Sequence, residues 1–294
     1  MGAVVKLCLS CGVEFPSVGE WACPSCNFVP STRDGFPSFS RAPAEAGAGF
    51  DATRYETLVS VESDSFWFNA RNDLISWALG RFFPSAKSFL EVGCGTGFVL
   101  SRLERDFPHL QLSGSEYEAE GLKFASSRVK HARLMQMDAR AIPFKDEFDL
   151  LGAFDVLEHI DEDEEALAQF AEAVKKHGGG MILTVPQHRF LWSQRDVLAH
   201  HVRRYTRREL LRKVEAAGFH VRHVTSFVSF LLPALIASRL LQNGRQQASD
   251  GFEEFRMNSK LNKAFAHISR TEGALLQRGV DLRLGGSLLV VASL

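Results

Sequence analysis

The chain has 294 residues, 45% hydrophobic and 23% charged, with a formal net charge of -1. That length suits one large domain or a domain with a small appendage. A near-neutral chain carries no global basic field for nucleic acid, and no apolar run of about 18 residues predicts a spanning helix.

The N-terminus, MGAVVKLCLSCG, lacks the apolar stretch of a secretory signal, so the expected setting is cytoplasmic, with reduced cysteines. Cys8 and Cys11, then Cys23 and Cys26, make two C-x2-C knuckles. Four thiolates at that spacing suit tetrahedral zinc, and residues 1–35 read as a zinc ribbon too short to fold without metal. It either braces the domain or contacts a macromolecule. Pro30 to Asp51, rich in Ser, Pro, Ala and Gly, reads as a connection, and 36–83 is expected to hold this linker and a helical lid. The lid would come from Ser65 to Asn72 (SFWFNARN). There Phe66 and Trp67 either cover a ligand, with Arg71 reaching its carboxylate, or pack into the core.

From residue 84 short apolar runs alternate with helical patterns. Strands are predicted at Ser88–Val92, Gln111–Ser115, Leu134–Met137, Phe148–Phe154, Met181–Val185, His220–Phe230 and Ser287–Ala292. Helices are predicted at Phe98–Asp106, Ala119–Arg128, Asp163–Lys176 and Thr206–Ala217. Such alternation implies an α/β fold, a parallel sheet with helices on both faces and ligands at the carboxyl ends of its strands. Gly93, Gly95 and Gly97 follow the first of these strands in E-x-G-C-G-x-G, where a tight turn and close backbone approach to a ligand are needed. Cys94 sits inside the motif as a small filler. Glu116 and Tyr117 close the second strand, where an acid suits two ribose hydroxyls, and Asp138 and Ala139 close the third.

The fourth strand runs into FDLLGAFDVLEHI, and here the chain resembles class I S-adenosylmethionine-dependent methyltransferases of the D-V-L-E-H group over about residues 53–294. The resemblance implies a Rossmann-like, seven-stranded sheet ending in an antiparallel strand, here Ser287–Ala292, over residues 84–294. It implies that Glu91, Gly93, Gly95 and Gly97 surround the methionine part, that Glu116 holds the ribose, and that Asp138 and Ala139 hold the adenine. Phe154 and His159 would flank the transfer centre.

A general base for the acceptor is sought among His159, His188, His200 and His201, with His159 first because it follows the fourth strand at the cofactor mouth. The acidic run Asp161–Glu165 reads as a solvated helix start. After the fifth strand, TVPQHRFLWSQRDVLAHHVRRYTRREL should wall the acceptor pocket, with His188, Trp192, Arg203, Arg204 and Tyr205 as candidate contacts. Forked guanidinium donors suit an anionic small molecule, such as a phosphorylated or lipid-linked sugar intermediate. Arg207–Lys213 reads as a solvated basic face. Residues 225–241 are apolar, for core or dimer packing, for a lipid-like acceptor or for a membrane surface, and about 232–285 reads as a helical insertion. Two other functions remain open: ribosomal RNA methylation, against which stands the absence of Lys or Arg between Cys8 and Cys26, and a non-catalytic cofactor-binding scaffold acting through the ribbon.

Overall fold

The computed structural model describes residues 5–16, 21–39, 54–242 and 257–294. In chain order the strands are β1 (Val5–Leu7), β2 (Glu14–Pro16), β3 (Ser31–Arg33), β4 (Phe36–Ser38), β5 (Ser88–Val92), β6 (Gln111–Glu116), β7 (Arg133–Gln136), β8 (Phe144–Lys145), β9 (Leu150–Phe154), β10 (Gly180–Pro186), β11 (His220–Phe227) and β12 (Ser287–Ser293). The helices are α1 (Tyr55–Glu62), α2 (Phe66–Phe82), α3 (Phe98–Asp106), α4 (Ala119–Arg128), α5 (Asp163–Ala173), α6 (Gln194–Leu198), α7 (Arg207–Ala216), α8 (Leu232–Gln242) and α9 (Ser259–Gln277).

Among the described residues the main sheet runs β11-β12-β10-β9-β5-β6-β7-β4-β3. β5 lies between β6 and β9, both parallel to it, so the strand order reverses at its carboxyl end. A ligand crevice opens at such a point. β5, β9 and β10 are buried almost throughout, as apolar strands covered on both faces must be. One face packs under α5 and α7 through Phe170, Leu210 and Val214; the other packs under α2, α3 and α4 through Ile75, Leu103 and Leu122. β12 runs antiparallel to both neighbours, as expected for the final strand.

The N-terminal ribbon is joined to this sheet. β1 pairs with β2 and with β8. β3 and β4 form a hairpin over Asp34 and Gly35, at φ 51° and 87°, and β4 lies parallel to β7 through Ser38 and Gln136. Ser38 Oγ also donates to Gln136 Oε1 at 2.7 Å. Phe36–Ser38, expected in a linker, is therefore a strand covering the sheet edge at β7. The two-residue turn of left-handed residues allows it, because that twist matches a hairpin. Trp21 binds the ribbon to the core through edge contacts with Phe39 at 4.6 Å and Phe144 at 5.7 Å. The rest of the expected linker, up to Asp51, lies outside the described residues. Among the described residues no helix is long and apolar enough to cross a membrane.

Candidate active site

The turn after β5 builds the floor of a cavity of about 1280 Å³. Gly93 stands at φ 71°, and a Cβ there would lie 2.5 Å from Val156. Gly95 stands at φ 50°, and a Cβ there would meet nothing within 4 Å, so its open side faces the cavity. Its N–H donates to Glu116 Oε2 at 2.7 Å, and the Tyr117 N–H donates to Oε1 at 2.8 Å. Burial raises the Glu116 pKa, while these main-chain donors pull it down. Glu91, at the end of β5, is 2% exposed and has one carboxylate oxygen with no partner. Burial pushes its pKa well up, against the pull of Arg71. Asp138 and Ala139 line the cavity beyond β7, with Asp138 held by Arg140 Nη2 at 2.8 Å. Cys94 is buried and burial raises its thiol pKa, which suits a filler and not a nucleophile.

Two helices close over this floor. Glu62, buried at the end of α1, accepts from Thr96 Oγ1 at 2.7 Å and pairs with Arg128 on α4. α2 brings Phe66, Trp67 and Arg71 to the cavity. The start of α2 is fixed by α9: the Phe66 N–H donates to Asn262 Oδ1 at 2.9 Å, and the Phe66 and Phe265 rings meet at 5.3 Å. Phe66 thus packs against a neighbouring helix and lines the cavity together. Arg71 stacks on Trp67 at 4.8 Å and donates to Asp155 Oδ2, at the end of β9. Asp155 is left-handed at φ 57°, a placement uncommon outside glycine.

The D-V-L-E-H stretch ends in a short helical turn, Leu157–His159. Phe154, Glu158 and His159 line the cavity, where His200 and His201 join them from the loop after α6. That loop is tied back by the Val202 N–H, which donates to the Glu158 carbonyl at 2.7 Å. The His159 and His201 rings meet edge-on at 4.7 Å. His201 Nδ1 lies 3.0 Å from Asp196 Oδ1, and the Arg204 Nε donates to the same oxygen at 2.7 Å. In the neutral tautomer whose Nδ1–H donates to Asp196, the His201 Nε2 carries a lone pair. Burial, with His201 second, pushes the His159 pKa down to about 3, so His159 is neutral at physiological pH and far from the poise of a general base.

The far wall is mostly apolar, with Val228, Leu231, Ala234 and Leu235 before and on α8 and Leu261 and Phe265 on α9, and it also takes Ser238 and the buried Arg239 from α8. Val228 stands at φ 58°, rare for a β-branched residue, and the following turn is held by Glu272, which accepts from the Ser229 and Phe230 N–H groups at 2.8 and 2.7 Å. α8 thus turns part of its apolar surface into the cavity. Arg54, Arg195 and Trp192 also line it.

Several expected site residues lie elsewhere. Gly97, at φ 73°, caps α3, and a Cβ there would sit 3.0 Å from Ala125 Cα, so its role is helix packing. Tyr205 is fully buried, donating to Asp163 Oδ2 at 2.6 Å. Arg203 pairs with Asp163 at 2.9 Å, and His188 stacks on Phe190 at 5.0 Å; neither borders the cavity. The acidic run is not uniformly solvated either: Asp163 is 2% exposed and takes Lys213 Nζ at 2.6 Å, which draws Lys213 off the expected basic face. Arg204 is buried and lines the cavity, but its guanidinium serves Asp196 and the Gln187 carbonyl. Glu62, Arg140 and Glu158 were not singled out from the sequence. A buried acid on an amphipathic helix has no local signal, although Glu158 stood inside the quoted motif.

In the ribbon, Cys8 and Cys26 Sγ lie 3.6 Å apart, as do Cys11 and Cys23 Sγ, and all four lie within 4.8 Å of one another. Zinc–sulfur bonds of about 2.3 Å place tetrahedral ligands about 3.8 Å apart, so the donor set fits one zinc ion. Both knuckles share one backbone pattern. The Gly12 N–H donates to the Cys8 carbonyl and the Asn27 N–H to the Cys23 carbonyl, with Gly12 at φ 75° and Asn27 at φ 57°.

A doubly wound sheet with a glycine turn at the strand reversal, and acids at the next strand ends, defines an enzyme class that binds a nucleoside cofactor. Residues 66–224, more than half of the chain, match the model of the methyltransferase domain family. The chain belongs to that family, and it is an S-adenosylmethionine-dependent methyltransferase. No curated protein matches the sequence. Among solved structures the fold is similar to a complex between the Haloferax volcanii Trm112 methyltransferase activator and a putative methyltransferase. There the TM-score is 0.53 at 17% identity, over 82% of this chain and 92% of that one. It is also similar to Haemonchus contortus phosphoethanolamine N-methyltransferase 2 in complex with S-adenosylmethionine, with TM-score 0.55 and 16% identity over 87% of this chain and 61% of that one. A third is geranyl diphosphate C-methyltransferase from Streptomyces coelicolor, bound to Mg2+, geranyl diphosphate and S-adenosylhomocysteine, with TM-score 0.51 and 17% identity over 76% and 78%.

Proposed function

We propose that the chain methylates a small molecule that joins an anionic group to an apolar body, such as a phosphorylated or lipid-linked sugar intermediate. The observation that carries this reading is one continuous cavity, running from the glycine turn to the apolar wall of α8 and α9 with arginines along its border. Its volume, about 1280 Å³, exceeds the 300–1000 Å³ usual for one ligand and leaves room for a cofactor and an acceptor.

S-adenosylmethionine brings a methyl group already activated on a sulfonium, so the protein must align and exclude water. The unpartnered oxygen of Glu91 fits the ammonium of the methionine part, and a free buried acceptor calls for such a donor. Glu116 would exchange its main-chain partners for the ribose hydroxyls. Asp138 and Ala139 would receive the adenine, and Phe66 and Trp67 would cover it. His159, His200 and His201, at the junction of the two ends, would receive the acceptor's nucleophile. In the ribbon, Cys8, Cys11, Cys23 and Cys26 would hold a structural zinc. The Streptomyces enzyme of similar fold binds an anionic head on an apolar chain, which supports the chemistry without fixing the acceptor.

The test is metabolite profiling of cells with and without the protein while following labelled methyl from methionine. The reading expects an anionic, apolar small molecule to lose its label. Label lost from ribosomal RNA instead would overturn it.

A further inference from the structure

We propose that Glu158, His159 and His201 form a binding site for a divalent transition-metal ion at the methyl-transfer end of the cavity. Their ligand atoms lie within 4.8 Å of one another. A carboxylate and two imidazoles are the donor set of sites that hold Fe2+, Zn2+, Co2+ or Mn2+ and leave positions open for substrate. Metal bonds of about 2.1 Å bring neighbouring donors to about 3 Å, so binding would draw the three side chains together from separations of up to 4.8 Å.

Three independent features favour a cation here. Glu158 is 0% exposed, yet neither carboxylate oxygen has a partner. A buried carboxyl with no partner calls for a proton or a cation beside it. The two nearby acids have their own arginines: Asp155 has Arg71 and Asp196 has Arg204. Glu158 has no ion pair among the described residues. Next, the Nδ1 of His159 is buried without a partner. Finally, Asp196 holds His201 by Nδ1 at 3.0 Å, which orients the ring and leaves Nε2 for an ion. A carboxylate behind a ligating histidine is the usual support of a metal site.

The binding site stands on this geometry alone. Its use rests on the methyl-transfer reading. The ion would take an acceptor oxygen in an open position and favour loss of its proton to solvent. That oxygen would form its bond to the methyl carbon as the carbon–sulfur bond breaks, the electron pair going to the sulfonium sulfur.

The experiment is titration of the purified full chain, its ribbon loaded with zinc, with Co2+, read by calorimetry and by the visible absorption of nitrogen- and oxygen-bound cobalt. The wild type should take up Co2+ without thiolate charge-transfer bands. Glu158→Gln and His201→Ala should weaken that uptake at least about tenfold. Both should keep their binding of S-adenosylhomocysteine, which separates this proposal from the cofactor reading. No uptake by the wild type, or equal uptake by folded variants, would overturn the site. Should a variant not fold, the wild type still decides: Co2+ must broaden the ring resonances of His159 and His201, and unbroadened signals at saturation would overturn it too.

Discussion

The main-chain N–H of Gly95 donates to Glu116 Oε2 across 2.7 Å, joining the turn after β5 to the end of β6. Two neighbouring parallel strands thus deliver a bare stretch of main chain and a carboxylate to one point of the cavity. Both groups present hydrogen-bonding atoms that a nucleoside can exchange for its own.

Gly95→Asp tests the main-chain half of that relationship. The position faces open space, so the new side chain would enter the cavity, although φ 50° adds backbone strain at the turn. Its charge beside Glu116 should lower S-adenosylmethionine affinity by about 100-fold or more, as unpaired buried charges cost about 3–5 kcal/mol. Calorimetry on the folded variant checks this, and unchanged affinity would move the cofactor elsewhere.

Glu116→Gln tests the other half. Hydrogen bonds to a charged group contribute about 1.5–3 kcal/mol, so the affinity should fall roughly 10- to 100-fold. S-adenosylhomocysteine, with the same ribose, should lose as much. A loss confined to one of the two ligands would contradict a ribose contact.

The ribbon makes a separate prediction. Protein purified without chelator should carry about one zinc held by thiolates, since four complete one tetrahedron. Cys23→Ser should empty that site. Because β4 covers the β7 edge, the variant should also aggregate on warming, as uncovered strand edges do. Metal analysis and light scattering read the two effects; absence of thiolate-bound zinc from the wild type would remove the ribbon.

Asp163 should set part of the acid stability. Burial alone would raise its pKa, but Lys213, Tyr205 and Arg203 outweigh it and hold the carboxyl below its ordinary value. A depressed pKa gives stability that is fully present above the unfolded value, about 3.9, and is lost as the pH falls through the folded one. Asp163→Asn should therefore cost about 3–5 kcal/mol at pH 7, and its melting temperature should depend less on pH below about 4 than that of the wild type. Parallel melting curves in acid would show that Asp163 does not titrate on unfolding.

Much of the fold was legible from periodicity. Ser88–Val92, Phe98–Asp106 and Ala119–Arg128 occupy the predicted spans because their apolar spacing and their burial agree. The hairpin at Asp34-Gly35 was hidden in a stretch of loop-like composition, although its dipeptide carried the turn signal. At the site, positions fixed by strand ends were readable: Glu91, Glu116 and Asp138 all reach the cavity. Side chains on the segment after β10 were not, because their direction depends on tertiary partners. Arg203 and Tyr205 turn to Asp163, and only the fold brings that acid beneath them. Glu158 lay within a motif that marks strand and turn, whereas the lack of a hydrogen-bond partner for either of its carboxylate oxygens is a fact of packing.

The decisive measurement is a crystal structure of the chain with S-adenosylhomocysteine. It should show the adenosine over the Gly93–Gly95 turn, both ribose hydroxyls on the Glu116 carboxylate, and the Gly95–Glu116 hydrogen bond opened or shared. A nucleoside bound away from that turn, or a ribose out of reach of Glu116, would contradict it.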